Sequence, residues 1–95
     1  MLFHISATHS YDTCTAHNPD KRAVQTAAFA AAAEHGVKIH FQVVNRLEHN
    51  IFLLVEADSM ESIDAMFDPI LEFGHFEITP VIKRKNEQRY VTLST

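Results

Sequence analysis

The residues best suited to chemistry are seven histidines and a single cysteine in a chain of 95 residues. His9, Cys14 and His17 stand close together, with four residues between the first two and two between the last two. Imidazole and thiolate groups bind transition metals such as zinc, iron and copper, through four protein ligands in a structural site and three plus water in a catalytic one. The spacing is not a familiar zinc pattern. Solvated loop histidines beside a partly buried cysteine are therefore an equal alternative.

Cys14 has a second chemical interpretation, as a nucleophile whose thiolate form is favoured by His9 or His17. No oriented base or oxyanion donor is recognisable nearby in the sequence, so metal binding is the preferred hypothesis. We assign no functional role to His35 or His49, because His35 is favoured near the C-terminal end of a helix and His49 is expected in a turn.

The composition predicts one globular domain that must position these groups. The chain is 46% apolar and 21% charged, and we assign residues 1–85 to the domain and 86–95 to a C-terminal tail or short extra strand. Eight Lys and Arg against twelve Asp and Glu give a net charge of -4, which disfavours nucleic-acid binding. With one cysteine and no apolar run near the roughly 20 residues of a membrane span, we expect a cytoplasmic protein that does not bind membranes.

The hydrophobic periodicity predicts the element order strand, helix, strand, strand, helix, strand. The strands are expected at 2–8, 37–44, 51–57 and 76–82, and the helices from Pro19 and from Asp58. This is the order of the ferredoxin-like βαββαβ fold, an α+β class with a four-stranded antiparallel sheet in the order 4-1-3-2. Since both helices cover one face of the sheet, the other face predicts pairing with a second copy as a homodimer.

Three short segments resemble the small proteins of the dimeric α/β-barrel superfamily. They are Met1–His4, Glu56–Ser59 and Phe76–Val81, and the resemblance extends over residues 1 to 85. It implies that two sheets pack face to face into a barrel. In relatives such as the antibiotic-biosynthesis monooxygenases and the muconolactone isomerases, this barrel encloses a small-molecule pocket. The chain has no tryptophan and no recognisable isomerase motif, so the resemblance implies a pocket and no particular reaction.

The expected strand directions gather the candidate residues at one end of the sheet. We expect strands 1 and 3 to run parallel and strands 2 and 4 to run the opposite way, which places His9, His40, Glu56, His75 and Glu77 together. We also expect one face of the first two strands to meet the helices, namely Phe3, Ile5, Ala7, Ile39, Phe41 and Val43. His4, His40 and Glu56 would then face the barrel interior.

Three functions follow from this placement. The first is a homodimer that binds a transition metal or small ligand through His9, Cys14, His40 and Glu56, with His4 and His17 as auxiliary ligands. The second is a cofactor-independent monooxygenase or isomerase acting on a small hydrophobic substrate, in which His4, His40 and Glu77 transfer protons. The third is an interaction module without catalysis.

Overall fold

The computed structural model describes residues 1–84. The predicted C-terminal tail or strand, 86–95, lies outside the described residues. No helix in the described part of the chain is long and apolar enough to cross a membrane.

The element order is βαββαβ, which confirms the predicted α+β fold. The strands are β1 (Leu2–Thr8), β2 (Lys38–Asn45), β3 (Asn50–Glu56) and β4 (His75–Val81), and the helices are α1 (Pro19–Ala30) and α2 (Met60–Phe67). Short 3₁₀ helices, Ala32–His35 and Asp68–Phe73, follow α1 and α2. Each observed strand lies within one residue of its predicted bounds.

Both helices begin where the sequence provides a capping side chain. The side-chain oxygen of Asn18 accepts a hydrogen bond from the backbone N–H of Lys21, and Pro19 occupies the first helical position. Ser59 accepts from the backbone N–H of Ser62 at the start of α2.

The sheet is antiparallel throughout, with the strand order β2-β3-β1-β4. Leu2 pairs with Glu56, and Thr8 pairs with Asn50, so β1 and β3 run in opposite directions. The expectation of parallel strands 1 and 3 is therefore wrong. The physical reason is the connection: the β2–β3 hairpin reverses the chain, whereas the crossover through α1 leaves β1 and β2 running the same way. His9 and Glu56 consequently lie at opposite ends, separated by roughly 20 Å of strand.

The two faces of the sheet differ in what covers them. The helical face carries the core, in which Phe3, Ile5, Leu53 and Val55 are buried beneath the helices. The residues that alternate with these along β1 and β3 lie on the opposite face of the sheet, which we call the open face. This face includes Leu2, His4, Ser6, Phe52, Leu54 and Glu56.

A β-bulge at His40 changes the facing of β2. Ile39 pairs with Val55 on the helical face, but Phe41 pairs with Leu54 and Val43 with Phe52, both on the open face. The expectation that Phe41 and Val43 meet the helices is therefore wrong, because one extra residue shifts the alternation along the rest of the strand. The open face gains two apolar side chains, which are 45% and 54% exposed.

Candidate metal site

Two histidines meet at the end of the sheet where β1 stops and β3 starts. The backbone N–H of His9 donates to the carbonyl of His49 at 3.1 Å, continuing the β1–β3 ladder by one residue. The Nε2 atom of His9 lies 3.3 Å from the Nδ1 atom of His49, with the rings edge to face. Side chains alternate between the two faces along each strand, and this alternation places His9 and His49 on the helical face. The site therefore does not lie on the open face, where the barrel interior is predicted.

The backbone of the β2–β3 turn orients His49. Its φ angle is 58°, in the left-handed region that histidine adopts more readily than most residues other than glycine. Its N–H donates to the carbonyl of Arg46 at 3.2 Å, which closes the turn. The turn therefore presents the imidazole of His49 toward His9.

Cys14 completes a cluster of three metal-binding groups, which we call the His-Cys-His cluster. One ligand atom each from His9, Cys14 and His49 lies within 4.8 Å of the other two, and all three residues are half-buried. The loop that carries Cys14 is fixed on both sides. The backbone N–H of Thr13 donates to Ser10, and the Thr15 hydroxyl donates to the side-chain oxygen of Gln25 on α1 at 2.8 Å.

The donor set and its dimensions fit a tetrahedral transition-metal ion. Two imidazole nitrogens, each about 2.0–2.1 Å from zinc, lie about 3.3–3.4 Å apart when the angle is tetrahedral. The 3.3 Å separation of the His9 and His49 nitrogens matches that value. A thiolate at about 2.3 Å from the metal would lie about 3.6 Å from each nitrogen. Cys14 therefore needs only a small side-chain movement to complete three ligands.

The electrostatic surroundings keep His9 ready to bind a metal. Partial burial, and then repulsion from the neighbouring His49, hold the pKa of His9 below its ordinary value. A metal ligand must be the neutral imidazole, so a lowered pKa reduces the competition from protons near neutral pH.

Gly74 provides the space next to His9. A Cβ atom at this position would lie 2.6 Å from the carbonyl oxygen of Thr8 and 3.4 Å from the Cβ atom of His9. The chain before β4 can approach the end of β1 this closely only because residue 74 lacks a side chain.

The other predicted site residues lie elsewhere. His17 is exposed, outside the His-Cys-His cluster. The Nε2 atom of His40 lies 3.0 Å from Oε1 of Glu56 at the far end of the open face, and this hydrogen bond lowers the pKa of the Glu56 carboxyl. The structure thus brings His40 and Glu56 together, but not with His9 and Cys14.

The predicted proton-transfer couple of His4 and Glu77 is not formed. His4 stands opposite Thr79, while Glu77 stands opposite Ser6. The ring of His4 instead stacks on Phe52 with the centroids 6.2 Å apart. Glu77 lies 3.8 Å from the Nε2 atom of His75, and both side chains are largely exposed.

An open groove of about 1080 Å³ adjoins the His-Cys-His cluster. One side is formed by α1 and the other by the β2–β3 hairpin, with the loop before α1 between them. All three cluster residues and His17 line it. A three-ligand metal would have a vacant coordination position that small molecules in this groove could reach.

The fold and the cluster define a small α+β protein with a candidate transition-metal site. The sequence matches the family model described as "Domain of unknown function (DUF3303)" over residues 1–92, so the chain belongs to this family. No curated protein matches the sequence. A solved structure, described as SCO4226 from Streptomyces coelicolor A3(2), is similar with a TM-score of 0.57 and 16% identity, covering 86% of this chain and 99% of that one. The likeness at this identity concerns the fold.

Proposed function

We propose that this protein binds a first-row transition-metal ion through His9, Cys14 and His49. The observation that carries the proposal is the convergence of two imidazoles and one thiol within 4.8 Å, although His9 and His49 are 40 positions apart in the chain. A set of two nitrogens and one sulfur suits zinc and copper, and three protein ligands leave a position for water or a substrate. The corresponding reaction class is metal-assisted chemistry on a small molecule in the groove.

A hydrogen bond between the two rings is the competing explanation for the 3.3 Å contact between the histidines. That contact needs neither Cys14 nor a metal. The two explanations are separated by titrating metal-free, untagged protein with Co²⁺, whose visible spectrum reports both tetrahedral geometry and thiolate coordination. We expect one equivalent of Co²⁺ to produce a tetrahedral spectrum with a sulfur-to-metal charge-transfer band.

Cys14→Ser is the matched variant for this titration, because it replaces only the sulfur atom. The charge-transfer band should disappear while the fold persists. A wild-type spectrum of octahedral, weakly bound Co²⁺ would contradict the proposal and favour the hydrogen bond.

We further propose that two copies associate through the open face as an α/β barrel of the dimeric superfamily. Phe41, Val43, Phe52 and Leu54 form an apolar strip across β2 and β3 on this face. Such a strip favours burial against another surface. The His-Cys-His cluster lies on the helical side, so each copy would hold its own metal.

A second candidate function is proton transfer without a cofactor inside such a barrel. The contact that favours it is the 3.0 Å hydrogen bond between His40 and Glu56, since an imidazole and a carboxylate in contact form an acid–base couple. Turnover of a small hydrophobic substrate by metal-free protein, lost in Glu56→Gln but kept in Cys14→Ser, would support this function over metal chemistry.

A further inference from the structure

The groove beside the His-Cys-His cluster is cationic, although the whole chain has a net charge of -4. Arg22 lines it from α1 and Arg46 from the β2–β3 turn, and among residues 1–84 no Asp or Glu lines it. Within residues 1–84, no carboxylate pairs with either guanidinium. The two arginines have no carboxylate partner within residues 1–84 and no acid beside them among the described groove residues, so they create a local positive potential that attracts anions.

Apolar side chains also line the groove on both sides. Phe29 lies on the helix side, and Val44 and Leu47 lie on the hairpin side. Leu47 is 95% exposed and Val44 is 59% exposed, so neither is already covered by other parts of the described chain. A surface that combines apolar walls with two guanidinium groups complements a molecule with an apolar body and an anionic end.

We propose that this groove binds a small organic carboxylate, held by Arg22 and Arg46 with its apolar part against Phe29 and Val44. The arginine fork pairs with a carboxylate through two parallel hydrogen bonds, which gives orientation as well as attraction. The volume of about 1080 Å³ is ample, because ligand pockets are typically about 300–1,000 Å³.

The carboxylate would lie next to the vacant position of the metal. In this placement the inference rests on the proposed function, but attraction of the anion to the arginines does not require a metal. The two proposals can therefore fail separately.

The experiment uses benzoate as the probe and metal-free, untagged protein, followed by backbone amide chemical shifts. Benzamide has the same apolar ring without the charge, and acetate has the charge without the ring. We expect benzoate to bind about tenfold more tightly than either, with shifts centred on α1 and the β2–β3 hairpin. The affinity for benzoate should fall with added salt. Equal binding of benzoate and benzamide, or of benzoate and acetate, would overturn the proposal.

Arg22→Gln and Arg46→Gln test the two guanidinium groups, and Lys21→Gln is the matched control. Lys21 is exposed on the same helix, one residue from Arg22, but does not line the groove. Each arginine variant should weaken benzoate binding by about fivefold to tenfold, whereas the lysine variant should retain it. The same loss in Lys21→Gln would show a general charge effect and refute the site.

Titration of benzoate into metal-free protein separates this inference from metal binding. Retained benzoate binding by a wild-type protein that takes up no metal would leave the carboxylate site intact and remove only the metal. A wild-type protein that takes up metal but does not bind benzoate would contradict the assignment to Arg22 and Arg46 and leave the metal site intact.

Discussion

Replacing His49 by glycine should remove a metal ligand while preserving the turn that carries it. Glycine adopts the observed φ of 58° without a steric cost, whereas an ordinary residue in this region loses about 1–2 kcal/mol. The lost ring contact with His9 is worth about 0.5–1.5 kcal/mol and offsets that gain. The metal-free His49→Gly protein should therefore have a free energy of unfolding within about 1 kcal/mol of the wild type.

The effect on metal binding should be far larger. Changes to groups that only support a ligand weaken metal affinity by about 10–100-fold, so loss of the His49 ligand itself should cost at least about 100-fold. At a free Zn²⁺ concentration of about 100 times the wild-type Kd, bound metal stabilises the wild type by about 2.7 kcal/mol. This corresponds to a rise in Tm of about 10–20 °C for a domain of this size. At the same Zn²⁺ concentration the variant should gain only about 0.4 kcal/mol.

Thermal unfolding with and without Zn²⁺ is the appropriate assay. His75→Ala is the matched control, because His75 pairs with Thr8 at the same end of the sheet but lies on the open face, exposed. His49→Asn is a second test, since asparagine also tolerates a positive φ. If zinc stabilised His49→Gly as much as the wild type, or if His75→Ala lost as much, the reasoning would be refuted.

Three further perturbations probe the surroundings of the cluster, its protonation and the open face. Gly74→Ala should lower the free energy of unfolding by about 1–3 kcal/mol and weaken Zn²⁺ binding, because the added Cβ atom would displace the end of β1 beside His9. An unchanged Tm by calorimetry and an unchanged Zn²⁺ affinity would contradict the close approach of residue 74 to β1. Folding lowers the pKa of His9, so the folded state binds fewer protons than the unfolded chain in this pH range. The free energy of unfolding therefore has its full value above about pH 6.5 and decreases as the pH falls through the lowered pKa of His9. Thermal unfolding of metal-free protein at several pH values should show this loss, and His9→Gln should reduce it; an equally steep loss in His9→Gln would exclude His9 as its source. Leu54→Glu should be a folded monomer by light scattering, because the change places a charge in the proposed interface. Val24→Glu, a change on the exposed surface of α1, should remain a dimer. A dimeric Leu54→Glu protein would exclude the open face as the interface.

The sequence predicts the element order well because the physical signals are local. Alternation in Leu2–Thr8 and the capping residue Asn18 with Pro19 each act within a few residues. The facing of β2 is not predictable in this way. The bulge at His40 inserts one residue into the alternation of side chains. The local sequence does not reveal this insertion, so it does not show which face of the sheet Phe41 occupies.

The cluster is only half predictable. His9 and Cys14 follow from residue type and proximity in sequence, whereas His49 has the local signature of a turn residue. The missing information is the direction of β3. Once β3 is placed antiparallel to β1 with its first residue, Asn50, opposite Thr8, His49 lies opposite His9. A long-range pairing, and not the His9 to His17 spacing, therefore brings the ligands together.

Elemental mass spectrometry of untagged protein is the most direct test of the metal site, since no affinity tag can then contribute histidines. Wild-type protein equilibrated with a small excess of zinc or copper and freed of weakly bound ions should retain close to one metal per chain. His49→Gly and Cys14→Ser should retain far less, and His75→Ala should match the wild type. A wild-type protein that retains no metal, or equal retention in all four proteins, would contradict the assignment of His9, Cys14 and His49 as metal ligands.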